Sequence, residues 1–366
     1  MVKVSVILTV IPNSAQTYQT VFNLLSQNLI EIEVLAAGDT SVGEWATLLP
    51  QETGDDPRLR IIDSKGITEA EIKNDAMQQS TGEYLIFVQA GDRMLPQMLA
   101  MLYSLANRYH LDAVGCGYAL IQARNRMPRP GRQDMECYLY EDFIALTKKA
   151  FENRLLDLIE KQQMYKTYNK LYSAEFLQRH GIQFEKYAHL DERLFNIECA
   201  KYLRNFAFIS RPMYQHVVQD EEQLQGPYSL QRFEVATEVH NDLIAMFQKW
   251  GKYNTRAEYR IDHIYVESVV HCFSQLYDPA CEMTMRDKLL YIMQILLQPQ
   301  VQKAISGYNP EVPYSKTVNR ILRSSSPSLI LTFAHGVNLA QTRFNRLFYR
   351  VRQQPVDEEI RKIKRE

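Results

Sequence analysis

The 366-residue sequence has no C-x-x-C pair; its five cysteines, Cys116, Cys137, Cys199, Cys272 and Cys281, are scattered and odd in number. That excludes a disulfide framework as the organising principle and makes a reducing cytoplasm the expected setting. An excess of one charge is also lacking, since 42 Lys and Arg face 43 Asp and Glu for a formal net charge of −1. So balanced a chain offers no general attraction for nucleic acid, and none is expected as a partner. Glycine and proline number only 14 each against 46% apolar residues, which excludes disordered and collagen-like classes. Long hydrophobic runs are missing too. The longest, residues 328–340, contains His335 and Asn338 and is too short for a bilayer core of about 30 Å. The first residues open on an apolar stretch with no basic lead and no small-residue cleavage site, so no signal peptide is expected.

What the sequence does have is alternation. Residues 4–10 form an apolar run, and Tyr18, Val21, Phe22 and Leu25 then recur at helical spacing. Residues 32–37 and 59–62 are further strand candidates, 68–79 a helix candidate, and 84–88 a strong strand. A helix follows with Met98, Leu102, Leu105 and Tyr109 on one face. Such alternation predicts an α/β fold, a mostly parallel sheet with helices on both faces. Ligands of such sheets bind beyond the carboxyl ends of the strands, so residues 9–12, 38–41 and 89–93 are expected to share one crevice. A strand over 113–121, a loop over 124–132, a helix near 140–158, a helix over 191–202 and a strand over 206–209 ending at Pro212 continue the pattern. After residue 228 only helical periodicity remains, with Phe233, Ala236, His240, Leu243, Phe247 and Trp250 stepping by three and four. The expected domains are 1–112 and 113–222, two halves of the α/β part, and 228–366, an all-helical domain.

Several short landmarks occur in a fixed order. They are Val4-Ser5-Val6-Ile7-Leu8, Gln27, Asp56-Pro57-Arg58, Gly66 ahead of Lys73-Asn74, and Thr81-Gly82-Glu83-Tyr84 running into the strand to Val88. Cys116-Gly117-Tyr118, Asn169-Lys170-Leu171-Tyr172, Gly181-Ile182-Gln183-Phe184, Leu194-Phe195-Asn196 and Pro212-Met213-Tyr214 complete the series. In this order the first 216 residues or so resemble bacterial glycosyltransferase family 2 proteins of the GT-A fold, which build capsules, exopolysaccharides and teichoic acids.

The resemblance implies a UDP-sugar donor, a divalent cation and inversion at the anomeric carbon, with Thr9, Asp39, Lys73 and Asn74 at the nucleotide. The acids usual after the second strand are replaced by Ala36-Ala37, leaving Asp39 two residues along as the one that would read the uracil ring. After the strand 84–88 stands Gln89-Ala90-Gly91-Asp92, in which Asp92 matches the last acid of the metal motif. It would hold Mn²⁺ or Mg²⁺, hard cations that take oxygen ligands and complete their shell from phosphates and water. Asp191-Glu192 stands at the position of the catalytic base, which takes the proton of the attacking acceptor hydroxyl. His216, after a strand, is a candidate for the diphosphate or metal and equally a packed histidine.

At the C-terminus Arg343, Arg346, Arg350 and Arg352 interleave with Phe344, Leu347, Phe348 and Tyr349, with no acid between 341 and 352. A basic amphipathic helix of this kind suits an anionic membrane surface, where lipid-linked acceptors are found; packing on the helical domain or a second subunit is the other reading. Two functions stay open: a cytoplasmic transferase acting on a glycan or lipid-linked acceptor, peripheral at the membrane, or a degenerate transferase-like subunit. The latter would bind a partner glycosyltransferase, a second copy or a glycan, because function resides in the site and not the fold.

Overall fold

The computed structural model describes residues 1–10, 15–38, 49–64, 68–122, 135–185, 191–218, 228–308 and 313–343. Contacts divide the chain into two compact units, Met1–Asp220 and Glu221–Glu366. The first unit contains β1 (Val4–Thr9), α1 (Ala15–Leu25), β2 (Ile32–Gly38), α2 (Gln51–Gly54), β3 (Leu59–Asp63), α3 (Glu69–Gln79), β4 (Tyr84–Gln89), β5 (Arg93–Met94) and α4 (Met98–Tyr109). It continues with β6 (Ala113–Gln122), β7 (Met135–Tyr138), β8 (Phe143–Ala145), α5 (Lys148–Glu152), α6 (Leu155–Glu160), β9 (Lys170–Ser173), α7 (Ala174–His180), α8 (Asp191–Tyr202) and β10 (Phe206–Val218).

Among the described residues these strands make one sheet of order β3-β2-β1-β4-β9-β6-β10-β5, with β7 on β6 and β8 on β10. The pairs β1/β2, β1/β4, β2/β3 and β6/β10 are parallel, and β9 lies antiparallel between β4 and β6. The mixed α/β architecture with a mostly parallel sheet is therefore as the alternation predicts. Val4, Val6 and Leu8 of β1, Val34 of β2 and Ile86 of β4 are buried in one cluster with Val21 and Leu24 of α1. Phe22, counted in the helical stripe, is 69% exposed, because the covered face of α1 runs through Val21 and Leu24 instead.

Local chemistry explains several landmarks. Glu33 accepts hydrogen bonds from the Ser5 hydroxyl at 2.6 Å, the Thr81 N–H at 2.6 Å and Arg60 at 2.6 Å. Burial alone would raise the Glu33 carboxyl, but these donors hold it below its ordinary value. Gly82 donates its N–H to the Ser5 hydroxyl at 2.8 Å, and a Cβ there would stand 2.6 Å from the Ser5 backbone nitrogen, so the two chains approach only because residue 82 has no side chain. Asp56 accepts from the Arg58 N–H at 2.9 Å and from its guanidinium at 2.7 Å, which closes the turn into β3 and lowers the Asp56 carboxyl.

Two expectations fail locally. The segment read as a helix near 140–158 is strand β8 followed by two short helices; Thr147 caps α5, and the chain breaks at Asn153-Arg154 before α6. The strand expected to stop at Pro212 continues to Val218, because an irregularity in the β6/β10 register on either side of Pro212 absorbs its missing donor.

The second unit is helical: α9 (Arg232–Lys249), α10 (Thr255–Ser274), α11 (Met285–Leu296), α12 (Pro299–Gly307), α13 (Pro313–Arg323) and α14 (Pro327–Arg343), with a 3₁₀ turn at Gln275–Tyr277. Its core gathers Ala236, Tyr265, Val269, Ile292, Val301, Val318 and Ile330. His240 is buried in it, 2.8 Å from Asp262 through Nε2 and stacked on Tyr265, so this histidine pins helices together. No helix of the described residues is long and apolar enough to cross a membrane.

Candidate functional site

The parallel register sets Thr9 beside Ala37 of β2 and Gln89 of β4, at the carboxyl ends of the three strands where the crevice was expected. Ala36 and Ala37 are wholly buried in β2, so no carboxylate enters the crevice from these positions. Asp39 and residues 11–14 lie outside the described residues.

Beyond β4 the chain turns at Gly91, whose φ of +97° belongs to the left-handed region that glycine enters without strain. The Thr20 hydroxyl receives the Gly91 N–H at 2.9 Å and donates to the Asp92 carbonyl at 3.0 Å, fixing the turn to α1. Asp92 is only 1% exposed. Its carboxylate accepts from the Tyr214 hydroxyl at 2.6 Å and the Val217 N–H at 3.0 Å, and it faces Nδ1 of His216 at 2.9 Å. Burial and the Asp92 charge push the Tyr214 phenol well above its ordinary range, so it stays a donor. The His216 ring stacks on Tyr168, centroids 5.2 Å apart, and Tyr168 stacks on Tyr214 at 4.4 Å. The second ring nitrogen of His216 has no hydrogen-bond partner among the described residues.

A second cluster lies at the start of α8. Glu192 is buried; its Oε1 accepts from the Thr167 hydroxyl at 2.6 Å and the Thr167 N–H at 3.2 Å, and its Oε2 meets Lys166 Nζ at 3.1 Å. Burial alone would raise this carboxyl, but the charges of Lys166 and Lys73 and the Thr167 hydroxyl outweigh it and hold Glu192 down to about 2. Below it, burial brings the Lys170 ammonium down to about 7; Nζ donates to the Lys166 carbonyl at 2.6 Å and to Asn169 Oδ1 at 2.8 Å. Asn196 ties the cluster together, donating to the Glu192 and Lys166 carbonyls and accepting from the buried Tyr172 hydroxyl at 2.7 Å. Asp191 is the first residue of α8, and its side chain lies outside the described residues.

Lys73 and Asn74 sit on α3, which begins with a Thr68 and Glu71 capping box. Lys73 is buried, 2.9 Å from Glu69 and 4.8 Å from the Phe184 ring centroid. Asn74 exchanges two hydrogen bonds with the Phe184 backbone, its Nδ2 donating to the carbonyl at 2.9 Å and its Oδ1 accepting the N–H at 2.9 Å. Both ends of its amide are thereby engaged in holding the segment after α7, which gives this side chain a structural task.

Sequence reasoning missed Lys166 and Thr167, which sit in a polar segment with no periodicity to single them out. Of the residues expected to act together, Lys73 and Glu192 are electrostatically coupled, and the Asp92 cluster adjoins them: Lys166 Nζ lies 5.9 Å from the Tyr168 ring centroid, and the charges of both Asp92 and Glu192 act on Tyr168 and Tyr214. Among the described residues no group of three His, Cys, Asp or Glu gathers as a metal cage. Asp92 and His216 form an acid–imidazole pair closed on itself, with Nδ1 facing the carboxylate, so the far ring nitrogen of His216 is the group left to a cation and Asp92 orients the ring. An imidazole nitrogen suits Mn²⁺ better than Mg²⁺, with phosphate and water to complete the shell.

No protein-family model matches the sequence. Two curated proteins of Bacillus subtilis strain 168 do: the uncharacterized glycosyltransferase EpsJ, 21% identical over 63% of this chain and 65% of its own length, and the putative glycosyltransferase EpsH, 20% identical over 78% and 80%. The chain thus spans just under two thirds of EpsJ. Among solved structures, TarS 1-349 of S. aureus in complex with UDP-GlcNAc superposes with a TM-score of 0.60 at 16% identity, over 93% of this chain and 92% of that one. TarS 1-349 without ligand in its description gives 0.59 at 15% identity, over 91% and 90%. This chain therefore has a GT-A-like fold followed by C-terminal helices, and the proteins it is similar to are glycosyltransferases.

Proposed function

We propose that this chain is an inverting glycosyltransferase of the family 2 type that moves a sugar from a UDP-linked donor to a cell-envelope, exopolysaccharide or glycoprotein glycan. The observation that carries the reading is the Asp92 cluster at the strand ends of a GT-A-like sheet, where a buried carboxylate and a half-free histidine converge. The fold shared with TarS, solved in complex with UDP-GlcNAc, supports a UDP-sugar as donor. A Mn²⁺ or Mg²⁺ ion at this cluster, held through the far ring nitrogen of His216 with Asp92 orienting the ring, would offset the charge that develops on the departing diphosphate. Thr9, at the carboxyl end of β1, is assigned to the nucleotide side, and the buried Lys73 acts on Glu192 and not directly on the donor.

A general base works best with a pKa near the working pH. Glu192, held to about 2 with both oxygens occupied, is poorly suited. We assign the base to Asp191: its carboxylate takes the acceptor hydroxyl proton as that oxygen bonds to the anomeric carbon and UDP leaves with the electron pair. Glu192, through Lys166 and Thr167, then positions the start of α8. The occupied Glu192 and Asn74 side chains and the acid-free β2 end favour a second reading, a non-catalytic subunit.

Titration calorimetry with UDP and UDP-sugars, with and without Mn²⁺, separates the two: absence of binding under both conditions removes the enzyme reading. With binding in hand, Asp191→Asn is expected to abolish transfer while leaving donor affinity intact. Unimpaired transfer by that variant would return the role to Glu192.

A further inference from the structure

The helical unit carries a feature unrelated to the donor site. No Asp or Glu occurs between Glu311 and Asp357, although the chain as a whole is balanced at −1. Within that stretch α13 buries Val318 and Leu322 and turns Lys316, Arg320 and Arg323, spaced i, i+4 and i+7, to solvent on the opposite face. This face ends at a cavity of about 390 Å³. Leu296 of α11, Ile305 of α12 and Leu322 of α13 supply apolar walls, and Arg323, Ser306 and Ser325 add polar groups. Arg323 is fixed there by donating Nη2 to the carbonyls of Ser306 at 2.8 Å and Tyr308 at 3.3 Å, and its Nη1 has no partner among the described residues. Leu296 of the cavity wall is the last residue of α11, and that helix with its C-cap presents Leu290, Met293 and Leu297, spaced i, i+3 and i+7, with exposures of 41%, 41% and 66%.

We propose that this face docks on an anionic bilayer, with the cavity receiving the phosphate headgroup of one lipid against Arg323 and the α11 side chains dipping among the acyl chains. A basic helical face free of acids complements a negative surface, and an apolar stripe alongside it is what an interfacial helix buries. Soluble phosphate could neutralise Arg323 but gives no use to three exposed apolar side chains. The proposal stands apart from sugar transfer, because it concerns only the helical unit and is read without a donor.

The test is flotation of the full chain with vesicles of phosphatidylcholine alone and with roughly one-quarter phosphatidylglycerol. Flotation is expected only with the anionic vesicles, and it should fall away when salt is raised from about 0.1 M to about 0.5 M. The variant Lys316→Gln/Arg320→Gln removes two solvent-facing charges and is expected to weaken partition about 30-fold without shifting the melting temperature. Equal flotation with neutral vesicles, or an unaffected double variant, overturns the proposal. Binding of millimolar glycerol phosphate by a chain that does not float with the anionic vesicles would identify a free-phosphate site and overturn the bilayer assignment. Calorimetry with UDP on the same double variant is expected to match the parent chain, so loss of one property does not masquerade as loss of the other.

Discussion

Nδ1 of His216 stands 2.9 Å from Oδ1 of Asp92, across 124 residues of chain. The contact joins the turn after β4 to the end of β10, so neither side chain can reorient without the other. If His216, oriented by Asp92, holds the cation, Asp92→Asn and His216→Ala should each lower Mn²⁺-stimulated UDP affinity by at least about tenfold while leaving Mn²⁺-independent affinity nearly unchanged. Calorimetry at fixed ionic strength reads this directly. Unaltered stimulation in both variants would remove the pair from the cation site.

The buried Glu192 makes stability depend on pH in a defined sense. Its folded value, about 2, lies below the ordinary 4.5, so the unfolded chain binds the proton more readily. The contribution is present above pH 4.5 and is lost as pH falls toward 2, with on the order of 1 kcal/mol gone by pH 3.5. Glu192→Gln should flatten this part of the profile in urea unfolding between pH 6 and 3.5. A parallel profile for the variant would mean that Glu192 titrates normally.

Asn74→Ala strips two hydrogen bonds from the Phe184 backbone. The expected cost is about 1–3 kcal/mol of unfolding free energy, seen as a lower denaturation midpoint at unchanged slope. Because the amide is spent on structure, donor affinity measured below the melting transition should change little. A selective loss of UDP binding without loss of stability would instead place Asn74 at the nucleotide.

Gly82→Ala drives a methyl group to 2.6 Å from the Ser5 nitrogen and 2.9 Å from the Val4 carbonyl carbon. Backbone on both sides cannot yield as a flexible side chain would. A loss of about 2–3 kcal/mol or more is expected, measured by thermal melting of the soluble fraction. Gly336→Ala, where a Cβ meets nothing within 4 Å, is the matched control and should be neutral or stabilising.

Much of the sheet was legible because β1, β2 and β4 are buried runs of the kind that parallel strands require. The antiparallel insertion of β9 was not, since four residues, Lys170–Ser173, carry too little pattern to fix a neighbour. β8 was misread for a related reason: Phe143, Ala145 and Leu146 satisfy helical spacing until Thr147 caps a new element. Of the ordered landmarks, several, such as Asn74, Gly82 and Asn196, serve the framework through their own hydrogen bonds and close approaches. The features that decide chemistry, the occupied Glu192 and the His216 contact with Asp92, arise from long-range pairing that local sequence does not encode. The arginines at 346, 350 and 352 and the aromatic residues among them lie outside the described residues, and the basic face that can be described is the one on α13.

β10 has a bearing on how the first unit comes into being. Its first residues pair with β8, its later ones with β5, and β6 runs alongside it throughout. Tyr214, His216 and Val217, which clothe the Asp92 carboxylate, are thus among the last residues of that unit to be synthesised. Until β10 is delivered, the Asp92 carboxylate is without its Tyr214, His216 and Val217 partners and β6 has an unpaired edge. Folding of this unit is therefore expected to wait for emergence of Val218 from the ribosome, and earlier fragments should depend on chaperones.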